Sequence, residues 1–345
     1  MLTNRQKLIL KAIIEEYVKT CEPVGSKSLI ENPKYNLDFS SATIRNEMAI
    51  LEELGYLLKT HTSSGRIPSE EGYKLYVSEI INDRELAAID DCVYKYPEID
   101  EIIERNMLSR EEAIKESMAK VSELTNYASI VLDPRGHNAK IKKLQFVSIT
   151  GRNAVILMVT DSGNVESRKI VVPETISIEE IEKVISFLNE LLYDCPISEI
   201  DNRIKESIKD NDLRSFINYY DQLTAAFIRT FTMMAKDDYI ISGERGMFSM
   251  PEFQDLNKVQ EMMNAIERED VIRSIVNRAD KNGVMVRIGK ENNVSAMKDC
   301  TVITVPYETS DGALGTIAVL GPTRMEYQKI IPLLEYIAKN IKNIN

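Results

Sequence analysis

Residues 41–46 carry side chains that can form hydrogen bonds to the edges of DNA bases. Ser41 and Thr43 supply hydroxyl groups to this segment. Arg45 can pair with guanine and Asn46 can pair with adenine, because each side chain presents two hydrogen-bonding atoms in one plane. A helix face that only meets solvent would carry the same residue types, and this segment alone leaves both interpretations open.

A polar loop further along the chain is suited to contact the DNA backbone. It consists of His61, Thr62, Ser63, Ser64, Gly65 and Arg66. A short loop of this kind can approach phosphate groups or place its arginine in the minor groove. An ordinary hairpin turn has a similar composition, and the spacing alone slightly favours that plainer interpretation. Ser26 and Lys27, at the start of a short helix, complete the predicted DNA contacts.

The elements around these segments follow the order of a winged helix-turn-helix domain. Residues 3–20 are predicted as a helix that opens with a capping box. A short helix follows around residues 27–30, and a third begins at Ser40 or Ser41 and ends at Gly55. Extended residues on both sides of the polar loop form a hairpin. In a winged helix, the third helix enters the major groove with its N-terminal residues against the bases.

The net charge of −11 is the main objection to a DNA-binding function, because phosphate contacts require Lys and Arg. Residues 1–80 contain ten Lys and Arg against eleven Asp and Glu, so this part is close to neutral and the acidity lies elsewhere. Affinity would then depend on a few well-placed contacts. Two copies of the module would strengthen it greatly, so we expect a dimer.

Enzymes and metal sites are disfavoured by the side chains available. The cysteines are Cys21, Cys92, Cys195 and Cys300. They form no C-x-x-C pair, and the chain has only two histidines, so zinc clusters and disulfide frameworks are both disfavoured. No set of nucleophile, base and orienting group can be identified, so we expect no catalytic residue, cofactor or metal. The absence of a long apolar stretch favours a cytoplasmic protein that does not contact membranes.

The middle of the chain is predicted to be mixed α and β structure. Residues 79–108 are interpreted as an acidic helical connector broken at Pro97. Residues 141–172 are predicted as a three-stranded antiparallel meander, followed by helices at 178–192 and about 213–235. The last of these helices has one apolar face that we assign to dimerisation. The residues chosen from that face are Phe216, Tyr220, Phe227 and Phe231.

The last hundred residues alternate between helices and strands. Helices are predicted near 253–281 and after Gly321-Pro322, with strands at 284–288, 301–306 and 315–320. The whole chain is therefore predicted to be a multidomain α+β protein.

Several blocks of sequence resemble the HrcA family of heat-inducible transcription repressors. They are Ser41 to Met48 (SATIRNEM), Leu51 to Tyr56 (LEELGY), His61 to Pro68 (HTSSGRIP) with Gly72-Tyr73, Val286 to Asn292 (VRIGKEN) and Val319 to Tyr327 (VLGPTRMEY). The blocks occur in order along essentially the whole chain. Thr60 departs from the family, which commonly has proline before the histidine.

The resemblance implies three domains and a repressor function. These are a winged-helix domain, assigned to 1–78, a GAF-like domain, split between 109–137 and 246–345, and a dimerisation domain inserted at 138–245. The helical connector at 79–108 links the first two, and the strands of the meander could instead belong to the GAF-like sheet. Family members repress chaperone operons by binding an inverted-repeat operator as dimers. Their activity is supported by the GroE chaperonin and is lost on heat stress, so the expected partners are duplex DNA, GroE and a second copy.

Two other functions remain open at this stage. A GAF-like domain could bind a metabolite and make DNA binding ligand-responsive, although the chain has no Walker or dinucleotide fingerprint. A winged-helix domain can also bind another protein instead of DNA. A ligand that weakens operator binding would favour the first, and failure to bind duplex DNA at any salt concentration would favour the second.

Overall fold

The computed structural model describes residues 2–60, 65–87, 96–105, 110–132, 139–161, 163, 165–172, 174, 177–209, 239–276, 283–308 and 314–341. The chain divides into two compact units. The first comprises Met1–Leu132 and Tyr239–Asn345, and the second comprises Asp133–Asp238.

The N-terminal part of the first unit consists of three helices and a hairpin, and we call residues 2–68 the head. Its elements are α1 (Asn4–Thr20), α2 (Ser26–Glu31), a 3₁₀ turn (Pro33–Tyr35), α3 (Ser41–Glu53), β1 (Leu57–Lys59) and β2 (Arg66–Pro68). The two strands are antiparallel, with Leu58 opposite Ile67. The predicted order of three helices and a hairpin is confirmed.

Local sequence signals set the ends of α1 and α3. Thr3 and Gln6 form the predicted capping box at the start of α1. The side chain of Ser40 accepts a hydrogen bond from the backbone N–H of Thr43 and so caps α3. At the other end of α3, Gly55 has a φ of 83°. The N–H groups of Gly55 and Tyr56 donate to carbonyls of the last turn, which satisfies groups that would otherwise lack partners.

Three helices connect the head to the rest of the first unit. They are α4 (Glu70–Ala87), α5 (Pro97–Ile103) and α6 (Arg110–Thr125). Pro97 opens α5 at its first turn, where the missing N–H costs nothing, instead of breaking a helix. Ile99 of α5 is fully buried in the main core. The segment interpreted as a connector therefore contains a helix that belongs to the core.

We call the remainder of the first unit the body, and its centre is a five-stranded antiparallel sheet. The strands are β3 (Ala128–Leu132), β7 (Tyr239–Ser242), β8 (Met285–Ile288), β9 (Cys300–Glu308) and β10 (Leu314–Pro322), in the order β7-β3-β10-β9-β8. The predicted strands near 284–288, 301–306 and 315–320 are confirmed. Strand β7 lies within the range predicted for the inserted domain, yet it pairs with β3, with Ile241 opposite Ile130.

Side chains alternate between the two faces of this sheet and build two cores. Ile303, Ile317 and Val319 point to the face shared with α12 (Tyr327–Ile341) and the head, and they belong to one buried cluster that runs from α1 to α12. Val302 and Leu320 point to the opposite face, which is packed with residues of three further helices. These are α9 (Glu244–Phe248), α10 (Leu256–Ile266) and α11 (Glu269–Val276).

The second unit contains the predicted three-stranded meander. Its strands are β4 (Ile141–Thr150), β5 (Asn153–Thr160) and β6 (Val165–Val171), all antiparallel, followed by α7 (Ile178–Leu192) and α8 (Ile200–Lys209). Ile156 and Met158 on β5 are buried together with Ile181 and Leu188 of α7. The meander and the helix at 178–192 are confirmed. The helix predicted at about 213–235 lies outside the described residues.

Candidate nucleic-acid interface

Helix α3 presents two predicted base-reading residues to solvent. Arg45 and Asn46 are exposed, whereas Ile44, Met48 and Leu51 on the opposite side are buried in the main core. Within the part of the chain that the structure describes, neither Arg45 nor Asn46 makes a side-chain hydrogen bond or an ion pair. A guanidinium and an amide with unused hydrogen-bonding groups, side by side near a helix N-terminus, can contact the edges of bases in the major groove.

The residues at the start of α3 and α2 hold these helices together. The hydroxyl groups of Ser26 and Ser41 are 2.9 Å apart and share a hydrogen bond. Ser26, which is predicted to contact DNA, is only 7% exposed. Its side chain is instead engaged in the packing of α2 against α3. Thr43 is half-buried, and its hydroxyl lies 2.9 Å from that of the capping residue Ser40. Lys27, the next residue along α2, is exposed.

Contacts with α1 engage the carboxylate of Glu47 on α3. The guanidinium of Arg5 lies 3.4 Å from one carboxylate oxygen of Glu47, and the side-chain amide of Gln6 donates to the other at 3.0 Å. Arg5 also lies over the ring of Phe39, 5.2 Å from its centroid. These contacts orient α3 on the head and neutralise a negative charge beside Arg45 and Asn46.

Arg66 lies within the fold of the head rather than at an exposed loop tip. Its Nε donates to Glu52 of α3 at 2.6 Å, and its side chain is only 14% exposed. Its backbone forms two hydrogen bonds with Val24, each 2.9 Å long, which adds a short third segment to the hairpin. Gly65 packs so closely against Pro23 that a Cβ atom added to Gly65 would lie 2.8 Å from the backbone of Pro23.

Sequence reasoning missed the role of Glu52 as the partner of Arg66. The two residues are 14 positions apart, and no local pattern marks the pair. The remaining loop residues of the prediction are His61, Thr62, Ser63 and Ser64, and they lie outside the described residues. The predicted dimerisation residues Phe216, Tyr220, Phe227 and Phe231 also lie outside them.

A groove with a volume of about 490 Å³, large enough for a small molecule, lies between α5 and α6. Its cationic side chains are already paired: Arg105 with Glu101 and Glu116, and Lys120 with Glu123. The described part of this groove therefore presents no unpaired cation to an anionic metabolite. Among the described residues, no three His, Cys, Asp or Glu side chains converge as a metal site, and none of the helices has the length and apolar character needed to cross a membrane.

Comparisons with known proteins assign the chain to a family. Residues 111–331 match the family model described as the HrcA protein C terminal domain. Relatives named heat-inducible transcription repressor HrcA, from Acholeplasma laidlawii strain PG-8A and from Acholeplasma laidlawii, are 37% identical over 344 residues. The match covers 100% of this chain and 98% of each relative.

A crystal structure described as that of a hypothetical protein has the same fold. It superposes with a TM-score of 0.69 at 22% sequence identity, and the match covers 100% of this chain and 98% of that one. The family identified from the sequence blocks is confirmed by the family model and the relatives. Its members are transcription repressors and not enzymes, which agrees with the prediction that the chain is not an enzyme. The chain belongs to the HrcA family of heat-inducible transcription repressors.

Proposed function

We propose that the head is a winged-helix DNA-binding domain and that the chain represses as a dimer bound to an inverted-repeat operator. The observation that carries the proposal is the exposed pair Arg45 and Asn46 on α3, whose hydrogen-bonding groups have no partner among the described residues. A helix face that only meets solvent can carry the same residue types, and the loss of base preference on substitution of Arg45 distinguishes the two cases.

Each head residue has a distinct role in this proposal. Arg45 pairs with guanine and Asn46 with adenine in the major groove, and Lys27 at the start of α2 contacts a phosphate group. Ser26 and Ser41 act indirectly, because their hydrogen bond fixes α2 against α3. Residues 61–64 contact the DNA backbone beside the groove, and Gly65, which is buried against Pro23, acts only indirectly.

The rest of the chain brings the heads of two protomers together. We propose that the body is a GAF-like domain and that the second compact unit, Asp133–Asp238, is a dimerisation domain inserted into it. Support comes from β3 and β7, which enclose this unit in sequence and pair with each other in the sheet of the body. Both strands are parts of one domain, so the unit between them is an insertion.

The regulated genes and the chaperonin follow from the family. We propose that the operator lies upstream of chaperone operons and that the GroE chaperonin supports the active state. Heat stress fills the chaperonin with unfolded proteins, the repressor loses that support, and repression ends. Purified protein that retained its operator equally with and without GroE after a heat pulse would contradict this step.

The central experiment is selection of duplexes from a randomised pool with the purified full-length protein. The expected product is an inverted repeat that the protein prefers to a shuffled duplex, bound at the molar mass of a dimer. Arg45→Ala should weaken binding to the selected duplex by about 1–3 kcal/mol for each half-site and relax the preference at one base pair in each half. Arg268→Ala, at an exposed site in the body, is the charge-matched control.

Two outcomes would contradict this assignment. A monomer with no preference between the selected and shuffled duplexes would remove the proposed function. Equal weakening of Arg45→Ala on both duplexes would make Arg45 a phosphate contact instead of a base-reading residue.

A further inference from the structure

Arg324 of the body holds the C-terminal end of α1. It lies between β10 and α12, and its Nη1 donates to the backbone carbonyl of Val18 at 3.0 Å. Its Nη2 donates to the carboxylate of Glu252 at 3.2 Å, and its Nε donates to the other oxygen of the same carboxylate. We call the Arg324 side chain, the Glu252 carboxylate and the Val18 carbonyl the Arg324 clamp.

The geometry of the clamp makes arginine specific at this position. Glu252 is engaged by two parallel N–H donors, and this arrangement fixes the plane of the guanidinium. The third contact reaches a carbonyl in the last turn of α1, where helix carbonyls lack intrahelical donors and carry partial negative charge. The side chains of Arg324 and Glu252 are only 18% and 23% exposed, so water competes weakly for these groups. A lysine could not make all three contacts, because it lacks the planar fork.

A second attachment between head and body runs through α4. Lys74 of α4 lies 3.3 Å from the carboxylate of Glu291, which follows β8. The rings of Tyr73 and Tyr76 pack against the ring of Tyr327 on α12, with centroids 6.1 and 6.4 Å apart. Helix α4 also packs on α1, where Glu79 pairs with Lys7 at 2.7 Å. Two separate attachments fix both the position and the direction of the head.

The docked head keeps its base-reading side chains accessible. Arg45 and Asn46 are exposed while the Arg324 clamp is closed, so the attachment does not compete with DNA for them. The closed clamp is therefore compatible with DNA binding.

We propose that Arg324 is a positioning residue that sets the direction of α3 in each protomer, so that the two heads of a dimer match one spacing of half-sites. This inference rests on the proposed dimeric operator binding. Once one head of the dimer has bound its half-site, a fixed orientation gives the other head a high effective concentration at the second half-site. A loosened head samples many orientations, so its effective concentration there is lower. Loss of the clamp should leave recognition of a single half-site intact and reduce the advantage of the complete inverted repeat.

The experiment measures two affinities for each variant of the full-length protein, one for the selected inverted repeat and one for a duplex that carries a single half-site. Arg324→Gln and Glu252→Gln both open the clamp, but they change the net charge in opposite directions. We expect both to lower the ratio of full-site to half-site affinity by about tenfold and to change half-site affinity less than about twofold. A purely electrostatic effect would instead move the affinities of the two variants in opposite directions.

The preferred spacer length between the two half-sites provides a second readout, because it would not change if Arg324 only stabilised the fold. The wild type should prefer one spacer length, and both variants should bind inverted repeats with one base pair added or removed almost as well as the original. Arg324→Lys, which keeps the charge, should behave like Arg324→Gln. Arg268→Ala, which removes an exposed arginine paired with Asp270 in the body, should behave like the wild type.

The outcomes separate this inference from the proposed function. Unchanged ratios and spacer preference in folded Glu252→Gln and Arg324→Lys would overturn the role of the clamp and leave operator binding in place. A wild type that selects no inverted repeat would overturn the proposed function itself and this inference with it. Melting temperature and molar mass of each variant identify any that fails to fold or to dimerise, and the conclusion is then taken from the other clamp variants.

Discussion

Arg66 joins the last helix of the head to its hairpin through the carboxylate of Glu52. Because the arginine side chain is only 14% exposed, removing it leaves Glu52 without its partner and opens a space beside β2. We expect Arg66→Ala to lower the free energy of unfolding by about 1–2 kcal/mol, between the values typical of exposed and buried ion pairs. Thermal melting of the full-length protein measures this.

A double-mutant cycle with Glu52→Gln isolates the pair from the other contacts of Arg66. The double mutant should be about as stable as Arg66→Ala alone, because the interaction that Glu52→Gln removes is already absent from that variant. Unchanged melting of Arg66→Ala together with weaker DNA binding would instead identify Arg66 as a DNA contact.

Two buried tyrosines lie on facing helices, and we expect removal of the hydroxyl group to change stability differently for each. Tyr73 is 3% exposed and its hydroxyl makes no hydrogen bond within the described residues. Burial raises the pKa of Tyr73 well above its usual range, so the hydroxyl remains protonated and its donor unused. The Tyr327 hydroxyl donates to the carbonyl of Thr323 at 2.5 Å and lies 2.9 Å from the hydroxyl of Thr301.

Tyr327→Phe should therefore lower stability by about 2 kcal/mol, and Tyr73→Phe should leave it unchanged or raise it by up to about 1 kcal/mol. The rings stay in place in both variants, so each serves as the packing control for the other in thermal melts. A larger loss for Tyr73→Phe than for Tyr327→Phe would show that a bound water or another group satisfies the Tyr73 hydroxyl.

The side chains of the candidate site are predictable from sequence to the extent that chemistry depends on residue type. Arg45 and Asn46 follow a helix N-cap at the expected spacing, and the structure exposes both. The burial of Ser26 and the pairing of Arg66 depend on which helix faces which, and neither contact leaves a local pattern. Such contacts between distant positions require the packed structure.

At the scale of elements, glycine conformation decides where α3 can end. Gly55 has a φ of 83°, and a Cβ added there would meet nothing within 4 Å. Gly55→Ala should therefore cost about 1 kcal/mol from backbone strain alone, without any clash. Gly246 in α9 is the matched control, because its added Cβ would make ordinary contacts at 3.5 Å from Asn126.

Gly246→Ala should be neutral or stabilising by up to about 1 kcal/mol, since alanine favours a helix. The melting temperature of Gly55→Ala should lie below that of the wild type, and that of Gly246→Ala should equal or exceed it. Equal temperatures would mean that the left-handed conformation at position 55 carries no cost for alanine.

Elements with strong local signals are predictable from sequence, and those that depend on tertiary contacts are less so. The caps of α1 and α3 and the turns of the meander are short patterns that sequence alone reveals. The prediction has residues 79–108 as a helical connector broken at Pro97. The structure has helix α5 there but starts it at Pro97, because proline is also favoured in the first turn of a helix. The pairing of β7 with β3 spans more than a hundred residues, so no local pattern could place it in the sheet of the body.

At the scale of the whole molecule, the acidic charge limits how DNA can be bound. The chain carries −11, while residues 1–80 hold ten Lys and Arg against eleven Asp and Glu. The head therefore depends on individual cations in defined places, and the rest of the chain repels the DNA backbone. In the proposed dimer, specific contacts in two heads compensate for that repulsion, and the salt dependence of binding then measures how many heads engage.

Lys27→Ala tests how many heads engage. Removing one phosphate contact changes the slope of log affinity against log salt concentration by about 0.9, so a dimer with one fewer contact in each head should show a change of about 1.8. If only one head engages the DNA, the change should be about 0.9. Titrations of the full-length protein on the selected inverted repeat, over a range of salt concentrations, give the slope directly.

Lys258→Ala is the control for this titration, because it removes an exposed lysine of the body that pairs with Asp299. It changes the net charge by the same amount and should leave the slope nearly unchanged, since counterions are released only where a cation meets a phosphate group. If Lys258→Ala and Lys27→Ala changed the slope equally, the effect of charge would be general. Lys27 would then have no specific phosphate contact.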